Sequence, residues 1–476
     1  MPGTARSGCE RAGGRRRPDA KLPAVRAEPS PGRATPAAAR PLPRATARAP
    51  VPGDEVPGAP PLEDAEDALV DGDRTFAPGS ARAALRYPVF RRVFVGSFLS
   101  NVGTWMQNVV LGALAYDLTG SPVFVGVLLF AQLGPLMLLS VVGGALADTI
   151  DRRRLLGWVA FSQLVLSLVL AAVAAPARPN EVALVVVVFA IGIGQAMFNP
   201  AYAAMIPQLV GRRDLPGAIA LHSAQMNGSR VIGPVIGAVL FAAVGAPIVF
   251  VVNAASYLCV IFSLVGIELP DPVEVPGDDQ GLRRLSAGFL VARRDVRVRR
   301  CLVSIFTFSL VALTFVGQFP VVAQRNLGID ERSTAYGLLY ATFGAGAVIG
   351  ALSIGTVFAS RSKERIVPVS LVAYAIALTV FALLRSPGAA YPMVVIVGLT
   401  YFAFITSLST VLQEGLEDHE RGRVMALWIM GFGGTVPIGN LIAGPIIEAT
   451  SITAVMLVGA ACALALAFYA RFSPAG

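Results

Sequence analysis

The stretch Gly144-Ala145-Leu146-Ala147-Asp148-Thr149-Ile150-Asp151-Arg152-Arg153-Arg154-Leu155 gathers its charges between Asp148 and Arg154 and is flanked by two long apolar runs. Each run reaches the ~20 residues that a helix needs to cross a bilayer. A short loop this charged, set between two such runs, lies at a membrane surface, because burying its charges in hydrocarbon costs several kcal/mol.

Working outward, the same punctuation recurs along the chain. Apolar runs at about 93–116, 121–147, 155–175, 182–208, 217–244, 247–268, 301–323, 334–358, 366–385, 391–412, 422–447 and 451–471 predict an all-α membrane protein of twelve transmembrane helices. Gly and Pro are frequent inside the runs, as membrane helices tolerate. Composition agrees: 55% of residues are hydrophobic and 14% charged, with mean hydropathy +0.65. A soluble domain carries about a quarter charged residues, so this chain lacks the charge to cover a water-facing surface. The formal net charge of +9 reads as Lys and Arg held on cytoplasmic loops and not as a nucleic-acid surface, since no basic patch is interleaved with aromatics in a soluble domain.

Residues 1–85 are rich in Pro, Ala, Gly and Arg and cannot bury enough apolar surface to fold. They read as a disordered cytoplasmic tail, with no apolar core of signal-peptide length. Arg91-Arg92, Arg152 to Arg154, Arg212-Arg213, Arg283 to Arg300, Arg361 to Arg365, Arg421 to Arg423 and Arg471 fall on one set of alternating loops. The opposite set carries little beyond Asp117, Arg178, Glu181, a balanced Arg325 to Arg332, Arg385 and Glu448. The positive-inside rule then puts both termini, and the opening stretch, in the cytoplasm.

The longest internal connection divides the runs six and six, giving a half at 86–268, a cytoplasmic linker at 269–300 and a half at 301–472. The basic end of the linker, Arg293 to Arg300, reads as a short amphipathic helix on the inner leaflet. A shift of 206 residues lays Gly217, Leu221 and Gly233 over Arg423, Leu427 and Gly439, a weak repeat of the kind from which many secondary transporters are built.

The opening stretch resembles the loop signature of the major facilitator superfamily, Gly-x-x-x-Asp-(Arg/Lys)-x-Gly-(Arg/Lys)-(Arg/Lys). Gly144, Asp148, Arg152 and Arg153 match, whereas Thr149 and Asp151 replace the basic and glycine positions. The second-half copy has Ala359 at the acidic place. The resemblance implies that Asp148 faces the start of the eleventh helix, near Arg421-Gly422-Arg423, and with its neighbours forms a cytoplasmic conformational lock. Three further runs resemble the branch that holds the enterobactin exporter and related secretion and macrolide-efflux proteins: Gly194-Gln195 through Asn199-Pro200 to Val210, Asn227 through Arg230 to Gly237, and Asn253 to Tyr257. Phe90 to Gln107 fits as well. In the superfamily a Gly-Pro-x-x-Gly-Gly in the fifth helix looks like an exporter signature; here it is Gly233-Pro234-x-x-Gly237-Ala238.

Arg230 lies near the middle of the fifth run, where a charge must face a polar cavity or a partner. Three roles stay open for it: binding an anionic substrate, pairing with an acid, or stapling two helices. Gln107, Asn108, Gln195, Asn199 and Gln318 are expected to line a cavity between the halves, although each is equally able to bridge helices. No run has a central carboxylate, so Asp117 and Glu448 are the candidates for proton coupling, which the resemblance leads one to expect.

An enzyme reading lacks its parts: there is no Gly-x-x-x-x-Gly-Lys-Ser/Thr phosphate loop and no nucleophile elbow. Cys9, Cys259, Cys301 and Cys462 are widely spaced, and His222 and His419 fall in or near charged loops, so neither a disulfide framework nor a metal centre is expected. The sequence therefore reads as a monomeric exporter of a small amphipathic molecule, a siderophore, macrolide or other drug-like compound. It would sit in the bacterial cytoplasmic membrane and use alternating access, without cofactor or nucleic acid. The competing readings are a non-transporting sensor or scaffold on the same fold, and an importer.

Overall fold

Proline and short polar side chains start the helices of this protein, and glycine ends several of them. The computed structural model describes residues 79–149, 151–267 and 282–471, and Met1–Pro61 lies wholly outside them. Nearly all of the described chain is helical. The first six long helices are α1 (Pro88–Thr119), α2 (Pro122–Thr149), α3 (Arg152–Ala174), α4 (Glu181–Leu209), α5 (Leu215–Val244) and α6 (Ala246–Leu264). There follow α7 (Leu282–Arg294) and α8 (Val296–Thr307), then a broken run that includes π-helical turns at Phe308–Ala312 and Val322–Asn326. The chain continues with α9 (Thr334–Gly355), α10 (Lys363–Leu383), α11 (Pro387–Glu414), α12 (Asp418–Ile429), a π turn at Met430–Gly434, α13 (Thr435–Ala449) and α14 (Ile452–Tyr469).

Asn180, Ser333 and Ser451 each accept from a backbone N–H in the first turn of the next helix, meeting donors that no intrahelical carbonyl reaches. Gly120, at φ 61°, closes α1 in the left-handed conformation that glycine adopts without cost.

Among the described residues, nine helices are long and apolar enough to cross a membrane. The first expected run falls within α1, whose Ser, Asn and Gln side chains dilute its apolar character. The seventh, expected as one helix at 301–323, is instead broken near Leu313 and Gln318. The eleventh is interrupted by the π turn at Met430–Gly434.

Two differences from the sequence reading have local causes. Arg293 to Arg300 is not one helix: the Asp295 carboxylate accepts from Arg297 N at 2.6 Å and Val298 N at 3.3 Å, ending one helix and capping the next. Residues 79–85, read as the end of the tail, pack on the start of α5. There Asp214 accepts from Gly79 N at 2.9 Å and from the Tyr87 hydroxyl at 3.2 Å. A Cβ on Gly217 would come within 2.2 Å of Ser80 O, so only glycine permits that approach. The rest of the expected tail and linker positions 269–281 lie outside the described residues.

Helices α1 to α6 pack mainly on one another, α1 against α5 and α6, α2 against α4, and α3 against α4 and α6. In the second region α9 packs on α11, and α10 on α11 and α14. The two regions meet where α5 lies on α9 and α2 lies on α13. Small residues hold these seams close: a Cβ on Gly337 would fall 2.0 Å from Ala238 Cβ, and one on Gly126 would fall 2.6 Å from Asn440 O.

Candidate functional site

Between the two regions lies a cavity of about 350 Å³. Residues 79–267 line it with amides, hydroxyls and two basic groups, among them Asn101, Asn108, Gln132, Gln195, His222 and Arg230. Residues 282–471 line it with aliphatic and aromatic side chains, including Tyr340, Phe343, Tyr401, Phe402 and Phe432. No Asp or Glu is among the described lining residues.

Arg230 sits at the middle of the 30-residue α5. Its guanidinium carbon lies 5.3 Å from the Trp105 ring centroid and 5.5 Å from that of Phe402. Each aromatic face contributes about 0.5–2 kcal/mol, against the ~3 kcal/mol cost of a mid-membrane cation. Its Nε is buried with no hydrogen-bond partner. Among the described residues Arg230 has neither an acidic partner nor a hydrogen-bond acceptor, and its guanidinium lies between a ring on α1 and a ring on α11.

The other expected cavity residues divide. Asn108 lines the cavity and accepts from Gln132 Nε2, and Gln195 and Asn199 line it too, Gln195 with a buried, unpartnered Nε2. Gln107 and Gln318 do not. Gln107 Oε1 accepts from Asn253 Nδ2 at 2.8 Å and from Ser167 Oγ at 3.2 Å, joining α1, α6 and α3 in a buried seam. Gln318 Nε2 donates to Pro122 O at 3.1 Å. An amide needs partners inside a bundle, and each of these two finds some of them between helices while Gln107 Nε2 and Gln318 Oε1 have none.

Several lining residues escaped the sequence reading. Gln132 and Gln163 are amides within apolar runs, the same signal that singled out Gln107. His222, placed near a charged loop from sequence, lies inside α5 on the cavity wall, its ring centroid 5.2 Å from that of Tyr202. It already fell inside the fifth run at 217–244, whose start lies close to the charged Arg212-Arg213 loop.

At the end of the bundle opposite the Arg-rich loops, polar contacts join the two regions. Asp117 accepts two hydrogen bonds from Arg332, one from Nε at 2.8 Å and one from Nη2. Arg325 Nε donates to the Tyr116 hydroxyl at 2.9 Å and its Nη2 to Gly120 O at 3.2 Å, while Ser121 Oγ donates to Glu448. The bond to Asp117 pushes the Arg332 pKa up. Burial pushes the neighbouring Glu331 carboxyl up, and its Oε2 has no partner. Both coupling candidates thus lie in this seal.

At the Arg-rich end the Asp148 side chain and the surroundings of Gly144 lie outside the described residues. Arg152 begins α3, and Arg153 Nη1 donates to Ile267 O at 2.7 Å, tying that helix start to the end of the sixth run. Asp151, which replaces the signature glycine, has φ −49° and accepts from Arg153 N at 2.9 Å. The position acts as a helix cap and does not need a left-handed residue. In α5, a Cβ on Gly233 would lie 2.5 Å from Trp105 Cβ, and one on Gly237 3.0 Å from Met106 Cα. With the ring of Pro234 between them, these glycines seat α5 directly on α1.

Comparison with known proteins agrees with this architecture. The family described as transmembrane secretion effector, MFS_3, matches residues 79–474. The staphyloferrin A transporter of Staphylococcus aureus is 23% identical over 73% of this chain and 87% of its own length. The multidrug efflux pump Tap of Mycolicibacterium fortuitum is 24% identical over 80% and 95%. The enterobactin exporter EntS of Shigella boydii is 26% identical over 72% and 81%. Among solved structures, the nucleoside transporter NupG (D323A mutant) superposes with TM-score 0.66 at 13% identity, covering 81% of this chain and all of that one. The chain is a multi-pass membrane transporter and belongs to the transmembrane secretion effector family of the major facilitator superfamily.

Proposed function

We propose that the chain exports a small amphipathic molecule across the bacterial cytoplasmic membrane by alternating access, coupled to proton antiport. The carrying observation is a cavity between two helical regions with an unpaired arginine on its wall. Two of the relatives above are named for siderophores and one for multidrug efflux, which supports a siderophore or drug-like cargo.

In this reading the helical runs make twelve spans, six in residues 86–268 and six in 301–472, joined by a linker at 269–300, with both termini cytoplasmic. The seal of Asp117, Arg325, Arg332 and Glu448 then closes the outer face, and the cavity opens inward. Gly144, Asp148, Arg152 and Arg153 form the cytoplasmic lock that closes in the opposite state. Asp117 and Glu448 are the groups through which protons act, because protonating either carboxylate weakens a contact that holds the outer face shut.

Everted vesicles test this. With an imposed proton gradient they accumulate at least one of labelled staphyloferrin A, enterobactin or erythromycin, and Asp148→Asn slows accumulation without reordering the three. No accumulation of any probe removes export, accumulation indifferent to the gradient removes antiport, and a reordered preference removes the lock assignment. A gradient dependence untouched by Asp117→Asn or by Glu448→Gln removes that residue from coupling.

A further inference from the structure

The two walls of the cavity differ in chemistry, and Arg230 stands where they meet. Amides and basic groups come from residues 79–267, whereas on the 282–471 side tyrosine hydroxyls are the only side-chain polar groups among the lining residues. Trp105 flanks the guanidinium from the first side and Phe402 from the second.

Four polar atoms at this wall are buried without partners: Ser97 Oγ, Gln195 Nε2, His222 Nδ1 and Arg230 Nε. Of these, Arg230 Nε and the Gln195 amide nitrogen can only donate, so the wall is short of acceptors. A helix staple would need an acceptor on a second helix, and an ion pair would need an acid; Arg230 has neither among the described residues. A guanidinium presents paired donors in one plane, the geometry that a carboxylate matches with both oxygens. Opposite it, Phe343, Tyr401 and Phe402 line the cavity with aromatic carbon that an apolar body can pack against.

We propose that the cavity binds an amphipathic monoanion, its carboxylate on Arg230 and its aromatic body on the Phe343, Tyr401 and Phe402 wall. This rests on the export reading for the cavity's role and narrows it to a substrate class. Cationic amphiphiles are disfavoured, because no carboxylate among the described lining residues receives them and Arg230 repels them.

The test uses three tritiated molecules with one ring system: 1-naphthylacetate, its neutral amide 1-naphthylacetamide, and the cation 2-(1-naphthyl)ethylammonium. Binding to the full chain in lipid nanodiscs is read by scintillation proximity, which needs no transport. The acetate is expected to bind at least about tenfold more tightly than the amide, the scale of a charge-assisted hydrogen bond, and the ammonium is expected not to compete. Arg230→Gln brings acetate binding down to the amide's level, while Arg230→Lys keeps a preference for the acetate and so separates loss of the charge from loss of folding.

The proposal is overturned if the amide or the ammonium binds as tightly as the acetate, or if none of the three binds. It is also overturned if acetate binding survives Arg230→Gln, or if Arg230→Lys loses the preference. Selective acetate binding by a chain that moves nothing in vesicles would remove the export reading and leave this site standing. Gradient-driven export with cation preference would do the reverse.

Discussion

Helices α5 and α13 occupy corresponding places in the two regions, and their likeness stops at the cavity. Gly233 on α5 and Gly439 on α13 are 206 positions apart. A Cβ on Gly233 would lie 2.8 Å from Val102 O of α1, and one on Gly439 would lie 2.1 Å from Leu310 O of the broken run after α8. Both glycines therefore seat their helix on the backbone of the span that opens the same region. Three residues earlier, Arg230 and Val436 also correspond, and both line the cavity. The seats match while the cavity positions differ, so packing and the cavity lining are set by separate residues of one helix.

Substituting the seats should have the largest effect. Gly233→Leu and Gly439→Leu each force two backbones apart, an overpacking cost of about 3 kcal/mol or more, and both should abolish the monodisperse peak in fluorescence-detected size exclusion. Survival of one but not the other would show that the seats are not equivalent.

Exchanging the cavity positions comes next. Arg230→Val should weaken 1-naphthylacetate binding by about ten- to a hundredfold, the ~1.5–3 kcal/mol of a hydrogen bond to a charge. The double variant Arg230→Val/Val436→Arg should not recover it, because the relocated guanidinium stands on the wall without amides, among aliphatic and aromatic side chains. Recovery would mean that the two walls are interchangeable.

Opening the outer seal should be milder. The Arg332 side chain is 62% exposed and that of Asp117 16%, and exposed ion pairs contribute about 0–1 kcal/mol. A cysteine placed at Gly112, where a Cβ meets only Pro320 Cγ at 3.7 Å, reports on access to the cavity. With Asp117→Asn its labelling by an impermeant maleimide from the outer side should rise up to about fivefold, and high salt should narrow the gap by screening the wild-type pair. Unchanged labelling would mean that the pair does not gate.

The smallest expected effect is at Glu331. Burial raises its carboxyl above the ordinary value, so its contribution to stability is full below the unfolded pKa and is lost as pH rises through the folded one. Relative to Glu331→Gln, wild type should lose melting temperature as pH rises above the unfolded value of about 4.5. Parallel curves would place Glu331 in water.

How much of this was legible in the sequence depended on the kind of signal. Run length and loop charge revealed most of the helices, because a bilayer imposes both. Counting along one run placed Arg230 at mid-helix, because the rise per residue is fixed. The rotation of each helix was not legible: with apolar residues on every side, nothing told Gln107, turned into a seam, from Gln132, turned into the cavity. Asp151 shows a third case, in which two residue types solve one loop by different means, glycine through backbone freedom and aspartate through a cap. The wide turns near Leu313 and Gly434 also left no mark, since they arise from packing between helices that lie far apart in the chain.

Those wide turns bear on what the site tolerates. Among the described residues the polar wall stands on uninterrupted α-helices, whereas the apolar wall includes helices with π turns at Phe308–Ala312, Val322–Asn326 and Met430–Gly434. Phe432 lies within the third, and Leu313 directly follows the first. A π turn holds one residue more than the regular ladder, and passing it along the helix turns the residues beyond by about 100° and shifts them by ~1.5 Å. The π turns thus touch the apolar wall near Leu313 and Phe432, whereas Phe343, Tyr401 and Phe402 stand on the uninterrupted α9 and α11. In the proposed carrier a shifted π turn would reshape the cavity beside the aromatic cluster and not the cluster itself, so anionic compounds that differ in ring system should compete for a single seat.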